Sequence, residues 1–169
     1  GEFHYLHHDP AGRPYDDIGE MAGRIAAAAA ATGIGLTLLP VFYAHGGFGG
    51  APPTEGQRRF INDPDGFARL VESAGRHLEG LAGARLGIAP HSLRAATVEE
   101  IGRILPLARG GPVHIHVAEQ TREVEDCLTW CGRRPVEHLL DSLPVDAGWC
   151  AVHATHMTAA ETLALARSG

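Results

Sequence analysis

Short apolar runs alternate along the chain with longer segments of helical periodicity. The apolar runs are typical of strands, and five are predicted, at residues 2–8, 35–44, 84–90, 112–118 and 149–154. The second run is apolar at nearly every position, as expected for a strand that is buried on both faces. Strands that alternate with helices predict a parallel sheet of βα units, so the predicted fold class is α/β.

The segments between the strands carry helix start and stop signals. Gly33 is expected to end the first helix, Thr97 with Glu100 to cap the third, and Thr158 to cap the last. A long irregular loop that begins at His45 interrupts the alternation of strands and helices, and loops of this length are usually functional or disordered. The predicted helices cover about 16–31, 64–81, 97–108, 120–131, 135–142 and 159–167.

Five βα units that run in one direction fit two architectures. One is a doubly wound open sheet and the other is part of a (β/α)8 barrel. The glycine-rich stretch "GGFGG" at 46–50 is followed by prolines and not by a helix, so it does not match the dinucleotide-binding pattern GxGxxG. The missing pattern argues against the nucleotide-binding version of a doubly wound sheet. It does not decide between the two architectures.

Composition and charge exclude several classes of protein. The chain has 169 residues, of which 44% are apolar, enough for one domain with a real core. The net charge is −6 and all 14 basic residues are arginine, which makes nucleic acid and anionic membranes poor partners. Three cysteines do not form a disulfide framework, and no signal-peptide or membrane-span pattern is present, so a cytoplasmic location is expected. The strand-like start and abrupt helical end suggest the middle of a longer protein.

Polar residues cluster where the predicted strands end. Nine of the eleven histidines lie in the predicted strands or near their ends, and only His77 and His138 fall within predicted helices. In parallel α/β folds, the carboxyl ends of the strands form the rim where sites are built. The distribution therefore predicts a functional site. The polar residues concerned are Tyr5, His7, His8, His45, His91, Arg94, His114, His116, Glu119, His153 and His156.

The strand at 112–118 carries two histidines on one face. Because side chains alternate along a strand, His114 and His116 share a face, and the valine and isoleucine residues of the strand share the other, which is expected to pack under helices. A neutral imidazole at His116 could coordinate a metal, and Glu119 on the following turn could reach the attacking water. A buried, hydrogen-bonded histidine is the alternative; it is favoured for His114, and the ligand role is favoured for His116.

Several stretches resemble a known group of enzymes. "HIHVAEQTREVEDCLTWCGRRPVEHLL" (114–140) and "WCAVHATHMT" (149–158) resemble the amidohydrolase superfamily, where a His-x-x-Glu pattern with a later histidine is shared by many deaminases. Three further stretches are similar to the formimidoylglutamate deiminases of histidine degradation: "EFHYLHHD" (2–9), "LLPVFYAHGGFGG" (38–50) and "GIAPHSLRA" (87–95). The resemblance covers essentially the whole chain.

This resemblance implies a metal-dependent hydrolase with a (β/α)8 (TIM) barrel. The chain would supply its central part, about strands two to six. Residues 1–169 would form a single partial catalytic barrel domain, and the flanking strands and any N- or C-terminal β-domain would lie outside the chain. The resemblance also implies a homodimer for the intact enzyme and one zinc per subunit, with another divalent metal as the alternative.

The implied activity is the zinc-dependent hydrolysis of N-formimino-L-glutamate to N-formyl-L-glutamate and ammonia. His116 would be a metal ligand, and Glu119 would transfer a proton from the attacking water to the leaving amine. His153 would orient or stabilise the attacking hydroxide. The His-x-His pair of strand one and the Asp after strand eight, which complete the metal site in this family, lie outside the chain.

The implied substrate is a small molecule with two carboxylates. His91 and Arg94 would hold one carboxylate, and Tyr5 would help to bind the substrate. A forked guanidinium is the right partner for a carboxylate. Ordinary structural roles are the alternatives for these three residues, as a surface or helix-start arginine, a strand-end histidine and a packed tyrosine.

Two other functional hypotheses remain from the sequence. The chain could belong to another aminohydrolase of the superfamily, one that acts on guanine or an adenosine derivative. Arg94 argues against this, because a purine site would prefer aromatic and amide groups. The chain could also be an inactive fragment that keeps the scaffold and lacks the full metal site.

Overall fold

A computed structural model describes residues 4–169 of the chain. Within that range, helices and short strands alternate as predicted, with additional 3₁₀ turns at Glu55–Gln57 and Leu105–Ala108. The helices are α1 (Glu20–Thr32), α2 (Pro64–His77), α3 (Val98–Ile104), α4 (Thr121–Cys131), α5 (Pro135–Ser142) and α6 (Ala159–Arg167). The strands are β1 (Thr37–Leu38), β2 (Val41–Phe42), β3 (Arg85–Leu86), β4 (Ala89–Pro90), β5 (Val113–Val117) and β6 (Trp149–His153).

Five extended segments lie side by side in chain order. The first is represented by His4, the second contains β1 and β2, the third contains β3 and β4, and the fourth and fifth are β5 and β6. Parallel pairing joins each segment to the next one along the chain. A doubly wound sheet would reverse its strand order at a switch point. No reversal occurs among the described residues, so the order is that of a barrel wall.

The first predicted strand, 2–8, is formed only in part. Residues 2 and 3 lie outside the described range. Within it, only His4 pairs with the second segment, through a parallel bridge to Pro40, and His8 instead forms an antiparallel bridge to Pro14. After His4 the chain is bound to the long loop that begins at His45, because the backbone N–H groups of His7 and His8 both donate to the carbonyl of Arg59 in that loop.

The second and third segments are joined by a continuous ladder of hydrogen bonds, although each segment is divided into two short strands. Hydrogen bonds from Arg85, Gly87, Ala89 and His91 reach the second segment at regular intervals. The third and fourth segments are joined differently, because Ile88 pairs with Val113 and Ser92 with His116. Four steps on the third segment therefore match three on the fourth, which is a bulge of one residue. The bulge lies next to His91, at the carboxyl end of the sheet.

The helix boundaries follow the predicted caps closely. Gly33 ends α1 with a left-handed φ of 71°, and Thr158 caps α6. The predicted helix at 97–108 is divided into α3 and a 3₁₀ turn, because Pro106 has no N–H to donate to the preceding turn. Two helices are about four residues shorter than predicted: α2 ends at His77 and not near residue 81, and α1 begins at Glu20 and not near residue 16. At the start of α1, the carboxylate of Asp17 accepts the N–H of Gly19 at 2.9 Å and holds a turn there.

The main core lies between the sheet and the helices. Ile115 and Val117 of β5 are fully buried in it, as the alternation of the strand predicted, and they pack with buried residues of α2, α3 and α5. The polar histidines of β5 point to the opposite face. No helix within residues 4–169 is long and apolar enough to cross a membrane.

Candidate active site

His116 lies near the end of β5 and is 8% exposed. Its Nδ1 donates a hydrogen bond to the carbonyl oxygen of His91 at 2.8 Å, so the neutral ring carries its lone pair on Nε2. Burial lowers the pKa of His116, which keeps the ring neutral near pH 7. The ring stacks on that of His153 with centroids 5.4 Å apart. A neutral, oriented imidazole of this kind is suited to metal coordination.

The turn that follows β5 holds Glu119. Ala118 has a left-handed φ of 51°, which turns the chain sharply at the strand end. The Glu119 carboxylate then lies between two cationic or polar partners: Oε2 is 3.6 Å from Nη2 of Arg94, and Oε1 is 3.6 Å from Nε2 of His153. Its side chain remains 32% exposed, so it faces the open rim. It is placed to exchange protons with a small molecule.

His153 is the last residue of β6, and an uncommon backbone conformation orients its side chain. His153 and Ala154 both have positive φ angles, 68° and 48°. Such angles are uncommon outside glycine and tend to occur at functional sites. Backbone hydrogen bonds from Ala154 to Val117 and from His156 to Ala118, each of 3.0 Å, tie the end of β6 to the turn that holds Glu119.

His91 and Arg94 follow the third segment, as predicted. The His91 ring lies 4.7 Å from that of His116, and burial, assisted by the neighbouring His116 and Arg94, lowers its pKa to about 3. Its Nδ1 lies 3.1 Å from Oγ of Ser92. The Nε atom of Arg94 is buried and has no hydrogen-bond partner among the described residues. The side chain as a whole is 33% exposed, so the outer part of the guanidinium is accessible to an anion at the rim.

Tyr5 belongs to an aromatic wall beside His91. Its ring makes edge contacts with Phe60 at 4.7 Å and with His91 at 6.0 Å. Tyr43, which was not singled out from the sequence, completes the wall at 4.6 Å from His91, and its hydroxyl accepts a hydrogen bond from Gln57. The wall closes one side of the rim.

The structure therefore brings all six predicted site residues into one cluster. Besides Tyr43, Glu123 was not singled out from the sequence; it is buried beneath the cluster and accepts the N–H groups of Ala118 and Glu119. It is the third residue of α4, where a glutamate often belongs to a capping box. The residue before the helix is Gln120 and not Ser or Thr, so this signal was weak.

Three other histidines of the rim have structural partners. His7 and His8 each donate to a backbone carbonyl, of Val41 and Ile61, at 2.8 Å. His45 is paired with Glu100, at 2.9 Å, where the long loop begins. Within residues 4–169, no three His, Cys, Asp or Glu side chains are arranged to hold a metal by themselves.

Comparison with solved structures defines the class of protein. The chain is 63% identical to an amidohydrolase from Brucella melitensis, with a TM-score of 0.98 over 100% of this chain and 38% of that one. It is 25% identical to an adenosine deaminase from Xanthomonas campestris with bound zinc, with a TM-score of 0.68 over 88% of this chain and 32% of that one. No protein-family profile matches. The structural neighbours are amidohydrolase-superfamily enzymes with TIM-barrel folds.

Comparison with curated sequences names a particular relative. The chain is 53% identical to the formimidoylglutamate deiminase of Pseudomonas aeruginosa over 99% of its own length and 37% of that protein. It is 36% identical to a 5-methylthioadenosine/S-adenosylhomocysteine deaminase of Natronomonas pharaonis over 56% of its length and 23% of that protein. The resemblance to formimidoylglutamate deiminase is thus confirmed, as is the relationship to hydrolases of C–N bonds. The chain spans well under half of these relatives.

Proposed function

We propose that the chain is part of an enzyme that hydrolyses N-formimino-L-glutamate to N-formyl-L-glutamate and ammonia. The observation that carries this proposal is the meeting of His116, Glu119, His153 and Arg94 at the carboxyl ends of adjacent parallel segments. The chain order of the five segments supports their assignment as strands two to six of a (β/α)8 barrel. The proposal includes a cytoplasmic homodimer in histidine degradation.

The donor chemistry of this chain fits a zinc ion. His116 offers a buried, neutral imidazole whose Nδ1–H is held by a carbonyl, the arrangement usual for metal-ligating histidine. It would be one ligand of the site, and the other ligands would come from outside the described residues. When bound, zinc supplies Lewis acidity that makes water nucleophilic near neutral pH.

The proton chemistry falls to Glu119 and His153. Hydrolysis forms a C=O bond at the formimino carbon, breaks its C=N bond and releases the nitrogen as ammonia, so both protons of the water must pass in turn from the oxygen to that nitrogen. Glu119 can accept each proton from the oxygen and give it to the departing nitrogen. His153, 3.6 Å from the Glu119 carboxylate, can orient the attacking oxygen by hydrogen bonding. Glu119 and His153 lie at the same rim, which suits this proton transfer.

The proposed substrate recognition depends on Arg94 and the aromatic wall. A forked guanidinium can hold a carboxylate through two hydrogen bonds, and the neutral His91 beside it can add one more. Tyr5 and Tyr43 shape the side of the rim next to His91. A purine deaminase is the second candidate, favoured by the similarity to 5-methylthioadenosine/S-adenosylhomocysteine deaminases. A half-exposed arginine at this rim suits the dicarboxylate better.

Replacing Glu119 tests the proposed reaction. In the complete enzyme, Glu119→Gln should reduce ammonia release from N-formimino-L-glutamate by about 10²–10⁴-fold, because the amide cannot carry the proton. Glu125→Gln, an exposed change on the helix α4 that follows, is the matched control and should leave the rate near that of wild type. Zinc content should be unchanged in both variants. Wild-type protein that releases no ammonia, or a fully active Glu119→Gln variant, contradicts the proposal.

A further inference from the structure

A buried carboxylate lies directly beneath the candidate active site. Glu123 is 3% exposed, yet it carries no role in the reaction proposed above. A buried carboxylate is costly unless donors satisfy it. Both oxygens of Glu123 have donors: Oε1 accepts the N–H of Ala118 at 3.1 Å, and Oε2 accepts the N–H of Glu119 at 2.9 Å. These hydrogen bonds connect α4 to the turn that holds the proposed proton carrier.

The turn needs such an anchor. Ala118 adopts a left-handed φ of 51°, a conformation that residues with a side chain rarely adopt without support. A turn of this kind can direct two successive N–H groups to one carboxylate. The same turn determines where the Glu119 side chain leaves the backbone. Glu123 therefore acts on Glu119 through the backbone.

The same carboxylate also faces Arg94. Nη2 of Arg94 lies 4.0 Å from Oε2 of Glu123 and 3.6 Å from Oε2 of Glu119. The guanidinium is thus shared between a buried anion and a half-exposed one. If Glu123 lost its charge, Arg94 would be attracted by Glu119 alone. Glu119 would then be drawn towards the arginine and away from His153.

We propose that Glu123 is a positioning residue that sets the geometry of Glu119 relative to Arg94 and His153. This inference rests on the proposed function for its kinetic consequences, but its structural basis does not depend on the substrate. The group acts through backbone N–H groups and through Arg94, and it does not touch the reacting atoms.

Glu161 offers a matched control in the next βα unit. It is also buried, at 6% exposed, and accepts the backbone N–H of Thr158 at 2.8 Å. It is paired with an arginine as well, Arg134, at 2.7 Å. Replacing either glutamate by glutamine removes the same charge from the same kind of environment. Only Glu123 contacts the turn that holds Glu119.

The kinetic test compares Glu123→Gln with Glu161→Gln in the complete, metal-loaded enzyme. Both variants should lose thermal stability. Glu123→Gln should also lower kcat by about 10–100-fold while KM changes little, because a displacement of about 1 Å has this effect on a positioned group. Glu161→Gln should keep kcat near that of wild type. Equal losses of kcat in the two variants would mean that Glu123 serves stability alone, and a loss confined to KM would contradict positioning of the proton carrier.

Crystal structures of the two variants give a test that needs no substrate. In Glu123→Gln the separation of Glu119 Oε1 and His153 Nε2, now 3.6 Å, should increase, and in Glu161→Gln it should not. If wild-type enzyme released no ammonia, the proposed function would fail and these structures alone would decide the positioning role. An unchanged separation in Glu123→Gln would overturn that role, whatever the activity.

Discussion

Single side chains in the site are directed by backbone that departs from regular structure. Three residues at the ends of β5 and β6, Ala118, His153 and Ala154, have left-handed φ angles of 51°, 68° and 48°. Each such angle costs on the order of 1–3 kcal/mol, which the surrounding hydrogen bonds must offset. The cost is concentrated where Glu119 and His153 meet. The geometry of the site thus depends on hydrogen bonds to these turns as much as on the side chains themselves.

Arg94 provides a test of substrate class at this scale. Arg94→Lys should raise KM for N-formimino-L-glutamate by about 10–100-fold with a smaller effect on kcat, because an ammonium cannot replace the two parallel hydrogen bonds of a guanidinium. Arg122→Lys, at a side chain that is 85% exposed on the neighbouring helix, is the control. Steady-state kinetics of ammonia release measures both. An unchanged KM in Arg94→Lys would instead favour a substrate without a carboxylate at this position.

The residues of the site differed in how far the sequence could predict them. His116 and Glu119 were predictable because strand alternation and a short spacing place them at one strand end. Glu123 and Tyr43 were not, because neither carries a distinctive local pattern. Their roles arise from tertiary contacts with Arg94 and His91. The proposed chemical roles of the six predicted residues remain predictions.

At the scale of elements, one carboxylate links the first two helices. Oδ1 of Asp17, at the entrance of α1, accepts a hydrogen bond from Ser73 at 2.6 Å, and Oδ2 lies 2.7 Å from Nε2 of His77. Both partners belong to α2. The hydrogen bond from Ser73 is the largest of the effects that lower the pKa of Asp17 to about 2. The ionised form of Asp17 therefore stabilises the docking of α1 on α2.

This link predicts a pH-dependent stability. A pKa below the value of the unfolded chain, about 3.9, means that the contribution is complete above about pH 4 and is lost as the pH falls towards 2. Asp17→Asn should therefore lower the urea midpoint near pH 7, and the difference from wild type should shrink near pH 3. Asp16→Asn, at the exposed neighbouring residue, should show no such pattern. A difference that stays constant with pH would contradict the proposed linkage.

Helices were easier to predict than strand pairings. Caps such as Thr158 and Gly33 are local signals, and the observed helix ends agree with them. The bulge between the third and fourth segments has no local signature apart from Pro90, which cannot donate a ladder hydrogen bond. It depends on how two distant segments align. The sequence therefore predicted where His91 occurs in the chain, but not how the bulge places its carbonyl against His116.

At the scale of the whole molecule, the described part of the chain has two sheet edges. Among residues 4–169, β6 pairs with β5 alone and His4 pairs only with Pro40. Unpaired edges are templates for association with other chains. The 169-residue chain produced by itself should therefore form oligomers or aggregates and bind zinc weakly, since His116 would be its one proposed ligand. Light scattering and metal analysis test this against the complete protein, and a stable, zinc-loaded monomer would contradict it.

The chain order of the five segments also bears on how the protein is made. Each segment pairs with the one synthesised immediately before it, so no segment must wait for a partner that emerges much later from the ribosome. Every pairing then closes a loop of similar, moderate length, which keeps the entropy lost at each step small. Such a chain can add one βα unit after another during translation, and its newest edge is covered as soon as the next unit appears.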